Sequence, residues 1–163
     1  MGEYIRDMRR LVGRIPIMQC GASVIVENDR DEVLLELRAD TKDWGYLGGS
    51  VELYERVEDA AAREMMEESG LIAEELTLLG VFSGEPLRYV YPNGDQVSNV
   101  DVVFLCRKYH GTLKREEAEV DCLRFFPAEA LPEPVFPVCK PGLAAYRAWR
   151  EKNGKPVASN PTE

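Results

Sequence analysis

The sequence of 163 residues predicts a mixed α/β sandwich. Short β-branched apolar runs, separated by turn-forming residues, indicate several strands. A stretch in the middle of the chain lacks Gly and Pro and indicates a central helix, and an amphipathic stretch near the carboxyl end indicates a terminal helix. Strands, one helix, further strands and a last helix therefore follow one another, which is the order of a sheet covered by helices.

The first part of the chain is predicted to hold an N-terminal arm and three extended segments. The arm covers residues 1–16, mixes charged with apolar residues and could include a short helix. The three extended segments are 18–28, 32–39 and 46–52. The first is β-branched and apolar, which indicates a buried strand, and the third is broken by Gly48 and Gly49.

The central helix is predicted over residues 57–69, where three alanines follow one another. Glu58 and Asp59 suit the positive end of the helix dipole. Gly70 is predicted to end the helix in the left-handed conformation. Both ends of this helix are therefore marked by local sequence.

The second part of the chain is predicted to hold three strands and the terminal helix. The predicted strands are 75–84, 97–109 and 120–127, the last followed by a helical turn at 128–131. A hairpin or longer loop with a turn at 92–95 separates the first two strands. The terminal helix is predicted over residues 139–153. We expect one domain over residues 17–153 and a disordered tail at 154–163.

Composition excludes several classes of function. The net charge of −9 and the pI of about 4.8 disfavour nucleic acid and anionic membranes as partners. Four widely spaced cysteines and a single histidine disfavour a zinc site and indicate a reduced protein. No secretory signal or long apolar run is present, so we expect a cytoplasmic location.

The acidic character of the central helix needs an explanation. Glu64, Glu67 and Glu68 fall within an arc of about 100° that continues the small-residue stripe of Ala60 and Ala61. A solvated acidic face would lie opposite the packed stripe, and this one does not. Crowded carboxylates raise each other's pKa, and a divalent cation such as Mg²⁺ relieves the conflict. The pattern therefore predicts a metal site, with at least one raised pKa in its absence.

Residues 48–71 carry a motif with fixed spacing. Its members are Gly49, Glu55, Arg63-Glu64-Met65, Glu67-Glu68 and Gly70-Leu71. At about 6% average usage per residue type, a chance match is rarer than roughly one in a million. This spacing resembles the full signature of the Nudix hydrolases, the family that includes MutT-like proteins. The order of elements over about residues 17–150 also resembles that family's α/β/α sandwich with a mixed central sheet.

The resemblance implies a pyrophosphohydrolase that uses Mg²⁺ or Mn²⁺. Its substrate would be a nucleoside diphosphate linked to another moiety, such as ADP-ribose. Two alternatives stay open: a nucleoside triphosphate pyrophosphohydrolase, and a non-catalytic nucleotide-sensing domain. The resemblance also implies a small nucleotide as partner, and homodimers are frequent in the family.

The resemblance implies roles for individual residues. Glu67 and Glu68 would be metal ligands, together with the Gly48 carbonyl. Glu64 would be a ligand or the base that activates water, and Arg63 would orient Glu64 or Glu67. The implied catalytic set is therefore Glu64, Arg63 and Glu67. Glu55 and Gly49 would support the site. The candidates for a further acid from a downstream loop are Glu116, Glu117 and Glu119.

The chain departs from the family signature at Leu47, Tyr54 and Arg56, where Pro, Gly and Ser are frequent. Arg56 removes a helix N-cap worth about 1 kcal/mol. These departures concern the loop and the helix start and leave every carboxylate in place.

The substrate side of the site is less marked in the sequence. Gly48 and Gly49 form what we call the glycine loop. Arg38 and Trp44 precede it and are candidates for phosphate and base contacts. Pro86 lies where ADP-ribose pyrophosphatases of the family carry a proline, or it ends a strand. Tyr89 and Tyr91 are candidates for stacking on a base, or are ordinary hairpin residues.

Overall fold

A computed structural model describes residues 3–116 and 118–155 of the chain. The three α-helices are α1 (Glu3–Val12), α2 (Val57–Ser69) and α3 (Lys140–Lys152). The strands are β1 (Ile17–Glu27), β2 (Glu32–Arg38), β3 (Trp44–Gly45), β4 (Leu47–Ser50), β5 (Leu71–Phe82), β6 (Arg88–Val90), β7 (Gln96–Gly111) and β8 (Val120–Pro127). Within the described part of the chain, no helix is both long and apolar enough to cross a lipid bilayer.

All eight strands belong to one mixed sheet. A mixed sheet is what the family resemblance implies, but the short strands β3 and β6 are additions to the six predicted segments. Strand β1 lies at its centre, parallel to β7 and antiparallel to β2 and β4. Strands β5 and β6 pair antiparallel with β7, while β3 and β8 pair antiparallel with β2. The register that places Ser23 opposite Gly48 brings β4, and with it the glycine loop, against the middle of β1.

Helices α2 and α3 cover opposite faces of this sheet. Ala60, Ala61 and Met65 of α2 pack on one apolar cluster. Leu143 and Tyr146 of α3 belong to the other cluster. The fold is therefore the predicted α/β/α sandwich, because alternate side chains of each central strand supply the two clusters.

The predicted helix bounds agree with the structure where local signals are strong. Helix α2 covers the predicted residues and ends at Gly70, whose φ of 71° is left-handed. Arg56 precedes the helix without a side-chain cap, as its sequence implies. Two predictions were wrong. Strand β5 begins at Leu71 rather than residue 75. The predicted helical turn at 128–131 is an isolated turn at 128–130 without helix, with the Ala130 N–H bonded to the Pro127 carbonyl.

The N-terminal arm contains helix α1, which packs against the rest of the chain. Ile5 is buried, and the backbone N–H of Tyr4 donates to Glu52 at 3.3 Å. Of the predicted tail, Lys155 is paired with Glu27 and Asp31, and residues 156–163 lie outside the described part.

Candidate active site

Helix α2 presents its three predicted site carboxylates at different depths. Glu68 is buried, the Glu64 side chain is 15% exposed and the Glu67 side chain is 50% exposed. Glu64 and Glu68 lie one turn apart beside the packed alanines, whereas Glu67 lies at the edge of that face. The prediction that carboxylates continue the packed stripe is thus confirmed for Glu64 and Glu68.

Glu68 is held against the glycine loop. Its Oε2 accepts a hydrogen bond from the Gly48 N–H at 2.8 Å. Burial raises the pKa of Glu68 well above its ordinary value, and the nearby Glu36 carboxylate raises it further. Burial also raises the pKa of Glu64. The site therefore contains the raised pKa values that the crowded sequence predicts.

The two glycines allow this close approach. A Cβ on Gly49 would lie 2.4 Å from the Glu64 carboxyl carbon. Gly48 has a φ of 154°, and a Cβ there would lie 2.4 Å from the Ser23 hydroxyl oxygen. Any side chain at either position would displace a neighbour in the site.

Arg63 holds the acidic residues in place. Its Nη1 donates to Glu64 at 2.6 Å and to Glu67 at 3.2 Å, so it contacts both residues that the sequence predicts it to orient. Its Nε and Nη2 donate to Glu55 at 2.8 and 3.0 Å, and Nη2 also reaches the Ser50 carbonyl at 3.1 Å. The hydrogen bond from Arg63 lowers the pKa of Glu55.

A cavity of about 410 Å³ opens beside these residues. Seven of the candidate residues line it: Arg38, Gly48, Gly49, Glu64, Glu68, Tyr91 and Glu119. Its remaining wall includes Glu36, Asp40 and Asn93. The cavity therefore has a size that suits a small-molecule ligand. It is surrounded by the glycine loop, helix α2, strand β2 and the turn before β7.

Glu36 is a site residue that sequence reasoning missed. It lies on β2 on the same face as Leu34 and is only 2% exposed. Burial is the main cause that raises its pKa to about 7. Its Oε2 has no hydrogen-bond partner among the described residues. A glutamate within the apolar run "VLLEL" was the signal that could have revealed it.

Asp101 is a second buried acid that the sequence did not reveal. It accepts hydrogen bonds from the Ser23 hydroxyl at 2.7 Å and from the Tyr46 hydroxyl at 3.0 Å. Burial raises its pKa. Ser23 packs against Gly48. The hydrogen bond between Ser23 and Asp101 therefore fixes the side chain that lies behind the glycine loop.

Arg38 is the predicted substrate residue that faces the cavity. Its guanidinium pairs with Asp40 at 3.1 and 3.0 Å and lies 4.6 Å from the centre of the Phe136 ring. Tyr91, the alternative stacking residue, also lines the cavity. The structure thus brings Arg38 and Tyr91 together with the carboxylates.

Three other predicted substrate residues lie outside the cavity wall. Trp44 packs edge-on against Phe126, with 4.8 Å between ring centres. Tyr89 packs against Phe136 at 4.8 Å, behind Tyr91. Pro86 is exposed in a 3₁₀ turn, Glu85–Leu87, that follows β5. The contacts of Trp44 and Tyr89 are packing contacts. The role of all three residues towards a substrate stays a prediction.

The downstream loop acids have separate positions. Glu119 lines the cavity. The Glu116 side chain accepts hydrogen bonds from the backbone N–H groups of Ala118 and Glu119, at 2.9 and 2.7 Å, and so closes a turn. Glu117 lies outside the described residues.

The carboxylates of the cavity suit a divalent cation, although other hydrogen bonds hold them away from one another. Among the described residues, no three His, Cys, Asp or Glu side chains are grouped closely enough to form a ready metal site. Glu64 is bonded to Arg63, and Glu68 to the Gly48 N–H. Carboxylate oxygens are the ligands that Mg²⁺ prefers, and Glu36 offers a buried oxygen that has no hydrogen-bond partner among the described residues. The residues therefore fit a hard cation.

Comparisons with known proteins give consistent matches. A family model described as the NUDIX domain matches residues 19–147. An ADP-ribose pyrophosphatase of Methanocaldococcus jannaschii is 36% identical over 133 residues, covering 80% of this chain and 72% of that protein. A Bacillus subtilis protein provisionally named 8-oxo-dGTP diphosphatase is 42% identical over 62 residues, covering 38% of this chain and 42% of that protein.

Solved structures confirm the fold. The crystal structure of a MutT NUDIX hydrolase from Burkholderia pseudomallei matches with a TM-score of 0.68 and 28% identity. The match covers 79% of this chain and 98% of that one. The sequence relatives and the solved structure are different proteins, and the structural match agrees with the family model.

Proposed function

The chain belongs to the NUDIX family, and from this premise we propose that it hydrolyses a pyrophosphate bond in a nucleoside diphosphate linked to another moiety, with Mg²⁺ or Mn²⁺ as cofactor. The cavity is the observation that carries the proposal. It holds the acids Glu64 and Glu68 and the cation Arg38 around one space, so it offers both a metal site and an anion contact. An ADP-ribose-like substrate is the first candidate, given the M. jannaschii relative.

The residues of α2 would hold the cofactor. When bound, Mg²⁺ neutralises phosphate oxygens and lowers the pKa of a water molecule that attacks phosphorus. Glu68 and Glu67 are proposed as ligands, with the Gly48 carbonyl. Glu64 is proposed as a ligand or as the base that accepts the proton of that water.

Arg63 and Glu55 act on the site through other residues. Because Arg63 is bonded to Glu55 and Ser50 as well as to Glu64, it fixes the direction of the Glu64 carboxylate. Glu55 in turn accepts the backbone N–H of Glu52 at 2.9 Å, which fixes the loop before α2. Both are therefore proposed as positioning residues.

The substrate would occupy the part of the cavity that faces Arg38 and Tyr91. Arg38 is proposed to contact a phosphate, because its charge points into the same space as the carboxylates. Tyr91 is proposed to contact the base or ribose. The predicted substrate contacts of Trp44, Pro86 and Tyr89 also stay predictions. These residues would contact a substrate only if their side chains moved, or if the substrate extended beyond the cavity.

A product panel tests this function. Purified protein would be incubated with Mg²⁺ and ADP-ribose, NADH, dinucleoside polyphosphates, nucleotide sugars or nucleoside triphosphates, and products separated by chromatography. We expect a nucleoside monophosphate and a phosphorylated partner from at least one diphosphate derivative, and no reaction with chelator. Absence of turnover across the panel, with intact nucleotide binding, would instead support the sensing domain.

A nucleoside triphosphate pyrophosphohydrolase is the second candidate. The local match to the B. subtilis protein favours it, although that match covers less than half of either chain. Release of inorganic pyrophosphate from a triphosphate, faster than cleavage of any diphosphate derivative, would establish it. The cytoplasmic location, the exclusion of nucleic acid and membranes, and the oligomeric state stay predictions.

A further inference from the structure

Glu36 on β2 differs from Glu27, a buried acid at the end of the central strand β1. Glu27, 1% exposed, is surrounded by partners: it accepts hydrogen bonds from Tyr146 and Lys155 and pairs with Arg150 at 2.9 Å. Glu36 is as deeply buried, and its Oε2 lacks a hydrogen-bond partner within residues 3–116 and 118–155. The protein thus satisfies the buried carboxylate of Glu27 and leaves that of Glu36 incompletely satisfied.

The nearest cation, Arg38, compensates for this charge only in part. Arg38 lies 3.8 Å from the Glu36 carboxylate, and its guanidinium fork is bonded to Asp40. The other charges that act on Glu36 are acidic and include Glu119 and Glu64. A buried carboxylate with one oxygen unbonded and only a long ion pair is costly, so a group that binds in the cavity is expected to supply further positive charge.

Glu36 lines the same cavity as the α2 carboxylates, from the strand on the opposite wall. Its charge acts directly on Glu68, which the family signature assigns to the metal. A neutral donor on a substrate would satisfy one oxygen but leave the combined negative charge in place. A divalent cation satisfies both, because it neutralises the charge and accepts oxygen ligands.

We propose that Glu36 is a further ligand of the divalent cation, so that the metal site extends from helix α2 to strand β2. This inference rests on the proposed function. It adds a ligand from a strand, upstream of the glycine loop, to those that the signature supplies. The cation binds in the absence of nucleotide, and Glu36 contributes to that binding.

Metal binding without substrate tests the proposal. Mn²⁺ affinity would be measured by electron paramagnetic resonance, and the effect of Mg²⁺ on the unfolding temperature by calorimetry, for the wild type, Glu36→Gln and Glu27→Gln. Glu36→Gln keeps the shape of the side chain and removes its charge. Glu27→Gln is the matched control, since it changes an equally buried acid remote from the cavity.

Glu36→Gln is expected to have two opposite effects. Above about pH 7, where Glu36 is ionised, the metal-free protein should unfold at a higher temperature, because a buried charge that Arg38 compensates only in part is gone. Mn²⁺ should bind at least about tenfold more weakly, and the Mg²⁺-induced rise in unfolding temperature should shrink. Glu27→Gln should lower the metal-free unfolding temperature and leave the metal-induced rise unchanged.

Two results would overturn the proposal. Equal Mn²⁺ affinity in Glu36→Gln and wild type would show that Glu36 is no ligand. Equal metal affinity with weaker binding of a non-hydrolysable nucleotide would assign Glu36 to the substrate instead. A wild-type protein that binds neither metal would contradict the proposed function itself, which separates the two failures.

Discussion

The guanidinium of Arg63 binds both carboxylate oxygens of Glu55, with Nε to Oε1 at 2.8 Å and Nη2 to Oε2 at 3.0 Å. This parallel pair joins the loop before α2 to the second turn of the helix. The third nitrogen of the same group reaches Glu64 at 2.6 Å. One planar side chain therefore connects the loop to the acid that faces the cavity, and a flexible ammonium has no equivalent geometry.

Arg63→Lys is expected to break the link between Glu55 and Glu64 while keeping the positive charge. Lysine cannot bind Glu55 with two parallel hydrogen bonds and contact Glu64 together. We expect kcat to fall by about 10-fold to 100-fold, as when residues that orient metal ligands are changed. The free energy of unfolding should fall by about 1–2 kcal/mol. Steady-state kinetics and urea unfolding measure both.

The matched control is Arg56→Lys on the exposed residue before the helix. It should leave kcat and stability near the wild-type values. Wild-type kcat in Arg63→Lys would mean that the orientation of Glu64 does not depend on the guanidinium.

Glu68→Gln is expected to abolish metal-dependent turnover and keep the fold. The amide oxygen can still accept the Gly48 N–H, so the contact between helix and glycine loop survives. Removal of a buried charge should leave the metal-free unfolding temperature equal or higher. The measurements are product formation with Mg²⁺ and thermal unfolding with chelator.

Glu58→Gln on the same helix provides the control, since Glu58 is exposed near the amino end and away from the cavity. It should retain wild-type turnover. Full activity in Glu68→Gln would show that the Glu68 carboxylate of helix α2 is not required as a metal ligand.

The sequence predicts helix α2 well because the information that forms it is local. Three alanines, acids in the first turn and Gly70 at the end act within the helix itself, and the observed bounds agree. The alignment of Glu64 and Glu68 with the packed stripe follows from helical periodicity alone. Motif residues within this segment are therefore accessible to sequence reasoning.

The opposite wall of the cavity depends on contacts distant in sequence. Glu36 becomes buried because β2 is paired with β1 and β8 inside the sheet, and the local sequence does not indicate how deeply that position is buried. Trp44 was expected at the substrate, yet its ring packs on Phe126 of β8 across the sheet. The burial of Glu36 and the packing of Trp44 both depend on which strands pair. The residue pattern of a single strand is therefore not enough to predict them.

Tyr54→Gly is expected to stabilise the protein. Tyr54 has a φ of 67°, a left-handed conformation that is unfavourable for a residue with a Cβ, and its side chain is fully exposed. Glycine adopts this conformation without the steric penalty and loses no packing, so the free energy of unfolding should rise by about 1 kcal/mol. Urea unfolding measures it. Tyr54→Ala keeps the Cβ and should show no gain; an equal gain in alanine would exclude backbone strain as the cause.

The stability of the metal-free protein is expected to fall as pH rises from about 4.5 to about 7 relative to Glu36→Gln. The folded state holds the pKa of Glu36 at about 7, above the ordinary value of 4.5. Between these values the unfolded chain loses a proton that the folded chain retains, so ionisation favours unfolding, by about 3 kcal/mol in total. Urea unfolding of both proteins in metal-free buffers across this range measures the difference. Saturating Mg²⁺ should reduce it, because a bound cation compensates the ionised carboxylate. Parallel stability curves without metal would show that Glu36 ionises in the folded protein as freely as in the unfolded chain.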